Sequence, residues 1–263
     1  MLVQLLGYEF YKKWKVLRYI LGGFIVLQAL LLTITRVFFW NNAKTSYINM
    51  EQNSGNFSIG FTLFLYSIIA IVMFLIPFFE SIYRFEKDLS GKQAVLELMI
   101  PIISWKKILS KLIVTLCTTI VFQMIAAFSV MVYVLVISNF KKEIVDLILN
   151  NARTILSSPA KSSFVALSML FAWASLYMLV IFCIAFSKSI SHKNRIAVPI
   201  GIGMFIVCLV VSIVTVIQIG RFPIVKFDLF GVKYSLSEMI FDILFFVLPF
   251  LGTSFLMEKR IEN

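Results

Sequence analysis

Residues 59–79 read IGFTLFLYSIIAIVMFLIPFF, twenty-one positions without a charged side chain. A bilayer's hydrocarbon core is about 30 Å thick and takes about 20 helical residues to cross, so this run is long enough to span it. Lipid offers no hydrogen bonds, and a helix satisfies its own backbone groups, so the run has to be helical. Pro77 falls close to its end, where it can kink the helix. The fold is therefore built around lipid, and the rest of the chain is read outward from this run.

Five further runs have the same character, near 18–39, 108–137, 164–186, 196–219 and 239–257. The run at 108–137 is too long for one upright crossing and should tilt or begin outside the hydrocarbon. Pro199 and Pro249 can kink their helices near the ends, and Gly201-Ile-Gly203 permits close packing. The composition agrees: 60% of the 263 residues are hydrophobic and 14% charged, where a soluble domain has about 45–50% and about 25%. The expected fold class is all-α integral membrane, one transmembrane domain over 1–263 with six spans.

The net charge of +11 raises the question of nucleic acid. The basic residues sit at the ends of apolar runs, where membrane topology puts them, so no nucleic-acid partner is expected. With the N-terminus inside, the inner segments hold Lys12, Lys13, Lys15, Arg18, Arg84, Lys87, Lys92, Lys106, Lys107, Lys111, Lys188, Lys193, Arg195, Lys259 and Arg260. That is 15 of the 24 cations. The excess predicts cytoplasmic termini. The first run is too long for a signal peptide and lacks a small-residue cleavage site, so it should be retained.

Three segments should lie on the membrane. GYEFYKKWKVLRYI (7–20) places Phe10, Trp14, Leu17 and Leu21 at helical spacing with cations on other faces, which suits an interfacial elbow helix contacting lipid phosphates. NFKKEIVDLILNNARTILSSP (139–159) has Ile144, Leu147, Ile148 and Ile155 at helical spacing and ends at Pro159; a surface helix, an external gate and a solvated connector all remain open. GRFPIVKFDLFGVKYSLSE (220–238) mixes aromatics with single charges and should dip into the interface.

The segment following 59–79 is FEKDLSGKQAVLELMIPIISWKK, residues 85–107. Ser90-Gly91-Lys92-Gln93 fits a capping box, in which the hydroxyl takes the Gln93 amide and the Gln93 side chain reaches back. Val95, Leu98, Met99 and Ile102 form a helical stripe, with Lys92 and Glu97 off it. Pro101 disfavours helical geometry at Ile100, and Ser104 can cap the next helix. Connections between antiparallel helices need only about 2–8 residues. A bounded amphipathic helix here, over 89–100, exceeds what a connector requires and points to a docking partner.

This layout resembles the ABC-2-type permeases, the membrane subunits of bacterial ATP-driven exporters. The resemblance spans the chain in layout and rests in motif on Glu86, Asp88, Gly91, Leu96, Leu98, Pro101, Ser104 and Lys111. Many relatives carry Arg after the Pro-x-Ser element; here Trp105-Lys106-Lys107 keeps the charge without the guanidinium geometry. The resemblance implies that 89–100 is a coupling helix seated in a separate ATPase subunit, with Glu86, Asp88, Ser90, Gly91, Gln93, Val95, Glu97, Leu98, Met99 and Pro101 serving the contact. It also implies a second permease copy, identical or not, and a bacterial plasma-membrane location. No phosphate-loop motif occurs, since Gly91-Lys92 is followed by Gln93. ATP and Mg²⁺ then belong to the partner, and this chain binds no cofactor and is not itself an enzyme.

The alternative is an ion-coupled secondary transporter, which needs carboxylates or His at depth. The acids sit at span ends; Asp242, one turn inside the last span, is the exception and a candidate for an exit gate. An intramembrane enzyme lacks its paired groups: His192 stands alone, and Cys117, Cys183 and Cys208 lie in apolar runs without metal or disulfide spacing. Gln28 and Gln123, near mid-span, are candidates for a pathway. The other polar residues within spans, among them Thr33, Thr35, Ser168, Ser175, Ser212 and Thr215, suit hydrogen bonds between helices. Twenty-seven Phe residues supply lipid-facing filler or an apolar slot. The expected cargo is amphipathic or hydrophobic, of antimicrobial or toxin-peptide type.

Overall fold

The computed structural model describes residues 2–46, 52–90, 103–137, 142–191, 194–221, 226–229 and 232–261. The described residues include seven α-helices: α1 (Leu2–Ser46), α2 (Gln52–Ser90), α3 (Ser104–Ile137), α4 (Lys142–Ser157), α5 (Pro159–Ile190), α6 (Asn194–Arg221) and α7 (Leu236–Leu256). A two-stranded hairpin, β1 (Lys226–Leu229) and β2 (Val232–Ser235), precedes α7, and a π-helical turn, Met257–Ile261, follows it. All but α4 are long and apolar enough to cross a membrane. The protein is thus a nearly all-helical, multi-pass membrane protein with six candidate spans. α3 starts four residues ahead of the third run, at Ser104.

The elbow predicted at 7–20 is helical but is not a separate element. It is the first part of α1, whose 45 residues at 1.5 Å each measure about 68 Å, more than twice the hydrocarbon thickness. No proline interrupts Leu2–Ser46, so nothing ends the helix at the span. The faces are also turned from expectation. Phe10 stacks on Trp14 one turn on, with centroids 6.0 Å apart, and is exposed. Leu17, Phe24, Gln28 and Thr35 are buried on one stripe that continues down to Glu9 and Lys13.

The chain divides into two compact units: one of Met1–Leu6, Phe78–Leu116 and Leu156–Asn263, the other of Gly7–Pro77 and Cys117–Ile155. In the first, Phe85, Ile108, Leu112, Tyr177, Met178 and Ile181 form the centre of the core. Phe78 meets Trp173 and Tyr177 edge-on, at 5.4 and 6.0 Å, the geometry that aromatic quadrupoles favour. In the second, Leu17 and Phe24 of α1 join Met73 of α2 and Phe122 of α3.

Two glycines set helix distances in the first unit. A Cβ on Gly201 would meet Ser187 Oγ at 3.3 Å, so α6 lies close on α5 there; Gly203 faces open space. A Cβ on Gly252 of α7 would come within 2.7 Å of the Phe182 ring on α5. Gly252→Leu is therefore expected to cost about 1–3 kcal/mol through overpacking. The check is chemical unfolding of purified protein in micelles, with Gly203→Leu as the neutral control.

The loop at 220–238 was expected to dip into the interface; it contains the hairpin, in which Asp228 stands opposite Lys233 in register. Ser235 then caps α7: its hydroxyl accepts from the Glu238 amide at 3.2 Å, and its own amide donates to Glu238 Oε2 at 2.8 Å. Six of the span hydroxyls differ from expectation, whereas Thr115 reaches Ser81 on the neighbouring helix. Thr33, Thr35, Ser168, Ser175, Ser212 and Thr215 donate to carbonyls three or four residues back in their own helices. A carbonyl one turn away is always in reach, whereas a partner across an interface has to be positioned.

Candidate functional site

The chemistry-bearing residues of the first unit gather where α2 ends and α3 begins. On α2, Ser81, Phe85 and Asp88 recur at helical spacing and are buried. Each level of this stripe meets α3. The Thr115 and Ser81 hydroxyls lie 3.0 Å apart, with the Lys111 carbonyl 2.6 Å from Thr115 Oγ1, Phe85 packs in the core with Ile108 and Leu112, and Lys111 pairs with Asp88. Arg84 pairs with Glu80 one turn back on the same helix. Ser104, the first residue of α3, and Lys107 are buried, as is Lys188 in the last turn of α5.

Burial makes these ions informative. A buried charge without a partner is neutralised or moves, so charges persist in such places only where they are paired. The Asp88–Lys111 pair clamps the last turn of α2 to the second turn of α3, and the Ser81–Thr115 bond repeats the clamp two turns deeper. What enters or leaves between Ser90 and Ser104 is thus tied to two helices at once. Of the residues predicted to serve an ATPase contact, Asp88 is in this clamp and Glu86 is half-buried beside it. Ser90 closes α2. Gly91, Gln93, Val95, Glu97, Leu98, Met99 and Pro101 lie outside the described residues, and so does most of the predicted helix 89–100.

The three pathway candidates separate. Gln28 and Gln123 belong to the second unit and Asp242 to the first. Gln28 is 7% exposed, and its Nε2 has no hydrogen-bond partner among the described residues. Gln123 and Asp242 are half-buried. The sequence reading missed a polar pair in the same unit as Gln28: Tyr66 of α2 stacks on Tyr133 of α3, with centroids 3.9 Å apart and planes 20° apart. Tyr66 donates to the Ser129 carbonyl at 2.8 Å, while the buried Tyr133 hydroxyl has no partner among the described residues. Tyrosine inside a charge-free run was the available signal, because a phenol is a poor choice for lipid-facing filler.

The apolar slot has a location. A cavity of about 400 Å³ lies between α5, α6 and α7, lined by Leu179, Phe182, Cys208, Val211, Phe245 and Pro249 among others. Ser212 and Thr215 also line it, but their hydroxyls are committed to the Leu209 and Val211 carbonyls. The cavity can accommodate hydrocarbon and has little to offer a polar group. Among the described residues, no cluster of His, Cys, Asp and Glu could hold a metal ion.

No protein-family model, curated protein or solved structure matches the chain.

Proposed function

We propose that this chain is the membrane-spanning subunit of an ATP-driven exporter in a bacterial plasma membrane. A separate ATPase subunit binds its segment 89–100 and supplies ATP and Mg²⁺ chemistry. A second permease copy, the same or different, completes the pathway, and both termini are cytoplasmic. The observation that carries this reading is the doubled clamp at the base of α2 and α3. An amphipathic segment strung between two clamped helices passes a push on itself into both. A connector without a partner has no use for that stiffness.

Binding energy moves a two-state equilibrium only where it discriminates between the states. In this reading the ATPase closes on 89–100 when it binds nucleotide, and the base of α2 and α3 moves with it. Lys12, Lys15 and Arg18, from the third turn of α1 onward, contact lipid phosphates on the same side. The cargo is an amphipathic or hydrophobic compound, of antimicrobial or toxin-peptide type, whose apolar part suits the cavity between α5, α6 and α7. Transport assays in which only a sugar polymer moved would dispose of that cargo.

The direct test is co-purification: an ATP-binding subunit encoded beside this chain should come away with it, and ATP should then drive export from vesicles. Export by the purified chain alone, on an ion gradient, would count for the secondary-transporter alternative and end the proposal. The orientation has its own expected result. In a cysteine-free background, thiols at residues 53 and 151 label from outside with a membrane-impermeant maleimide, and one at residue 191 does not; the reverse pattern would invert the topology.

A further inference from the structure

Among the described residues, α4, like α6, contributes to neither core. At 100° per residue, Leu147, Ile148 and Ile155 fall within about 100° of one another, with Asn151 among them, while Asp146 and Arg153 fall opposite and Leu149 and Leu156 lie outside this stripe. Leu147 is 60% exposed and Ile155 59%, and Ile148 is half-buried. Water is a poor neighbour for such a surface.

The chain itself restricts what the neighbour can be. Residues 138–141 separate α4 from α3, and Ser158 alone separates it from α5. Both flanking helices are candidate spans, so α4 is held where they leave the bilayer. Ser158 departs from helical geometry (φ −130°, ψ 68°) and Pro159 starts α5, so the two helices do not run on as one.

We propose that α4 is an interfacial helix that binds the lipid surface, with Leu147, Ile148 and Ile155 in the acyl boundary and Asp146 and Arg153 in water. The formal charges of the helix cancel, Lys142 and Arg153 against Glu143 and Asp146. Interfacial helices commonly use Lys and Arg on the polar face to add attraction to anionic lipid. This one relies on apolar burial alone, so its partner is the hydrocarbon boundary of any phospholipid, irrespective of headgroup charge. The inference concerns a helix that the proposed coupling to an ATPase does not involve.

The test uses the full chain with Cys117, Cys183 and Cys208 replaced, carrying one nitroxide-labelled cysteine at position 146, 147, 153 or 155. The probe is a phosphatidylcholine vesicle, with or without added phosphatidylglycerol. Collision rates with oxygen, which concentrates in acyl chains, and with a water-soluble nickel chelate report the surroundings of each label. The expected result is oxygen-rich labels at 147 and 155 and chelate-rich labels at 146 and 153, unchanged by phosphatidylglycerol or high salt. Four chelate-rich labels would make α4 a solvated connector. Labels at 147 and 155 shielded from both reagents would mean a protein covers this face, and a shift with anionic lipid would mean that charge holds it; each of these overturns the proposal. Where the cysteine-free chain does not fold, Leu147→Trp with the native cysteines kept gives the same decision. Quenching by brominated acyl chains supports the proposal, and quenching only by aqueous iodide refutes it. No ATPase or cargo enters either assay, so the outcome is separable from the transport reading.

Discussion

Export driven by ATP is expected to fall at least about a hundredfold when Leu98 and Met99 are both changed to Asp. Contacts that dominate an interface cost about 2–4 kcal/mol each when truncated, and about 2.7 kcal/mol is already a factor of a hundred. Two carboxylates on a stripe meant for an apolar cleft add a desolvation cost that truncation lacks. The measurements are retention of the ATPase during purification and ATP-dependent export from vesicles. Both should drop together, while the chain still inserts and stays monodisperse. Full retention and full export would leave 89–100 as a plain connector. The control is Lys92→Ala, which lies off the stripe and should change either quantity little.

Asp88→Asn is expected to destabilise the protein by about 3–5 kcal/mol, because it leaves the Lys111 ammonium buried without its counter-charge. Lys111→Met should cost a similar amount, leaving the carboxylate. The informative variant is the double change, Asp88→Leu with Lys111→Leu. Buried ion pairs are often no better than well-packed apolar replacements, so the double variant should be more stable than either single one. Denaturant unfolding in micelles reads all three, and additive losses would mean that the pair is not coupled. In the transport reading the double variant folds yet exports less, since an apolar contact resists sliding less than a charged one held in one geometry.

The six spans were legible because hydropathy sustained over about 20 residues is a global property, indifferent to which face points where. Finer features depended on facing, and there the sequence was a weaker guide. In 7–20 hydrophobicity alone groups Phe10 with Leu17. The helix instead buries the Glu9–Lys13–Leu17 line and turns Phe10 outward, with Trp14 half-buried, and a lipid-facing ring costs nothing that water would charge. The helix at 142–157 was legible as one possibility among three, since its stripe and Pro159 were both visible. Ser235-Leu-Ser-Glu238 has the same capping-box spacing as Ser90 to Gln93, yet it is easily overlooked inside a loop whose aromatics dominate. In the candidate site, Asp88 and Lys111 both belonged to the motif, but nothing in their spacing of 23 residues says that they meet. Antiparallel packing of α2 and α3 brings them together, and packing is what one-dimensional patterns leave out.

The hydroxyls that bond within their own helices have a consequence for biogenesis. A span whose Ser and Thr groups are already satisfied can leave the insertion machinery singly, without waiting for a neighbour to shield it. Thr33, Thr35, Ser168, Ser175, Ser212 and Thr215 place such groups on α1, α5 and α6. These helices can enter the bilayer in order of synthesis and find their partners afterwards by shape, whereas α2 and α3, which share Asp88 and Lys111, have reason to partition as a hairpin.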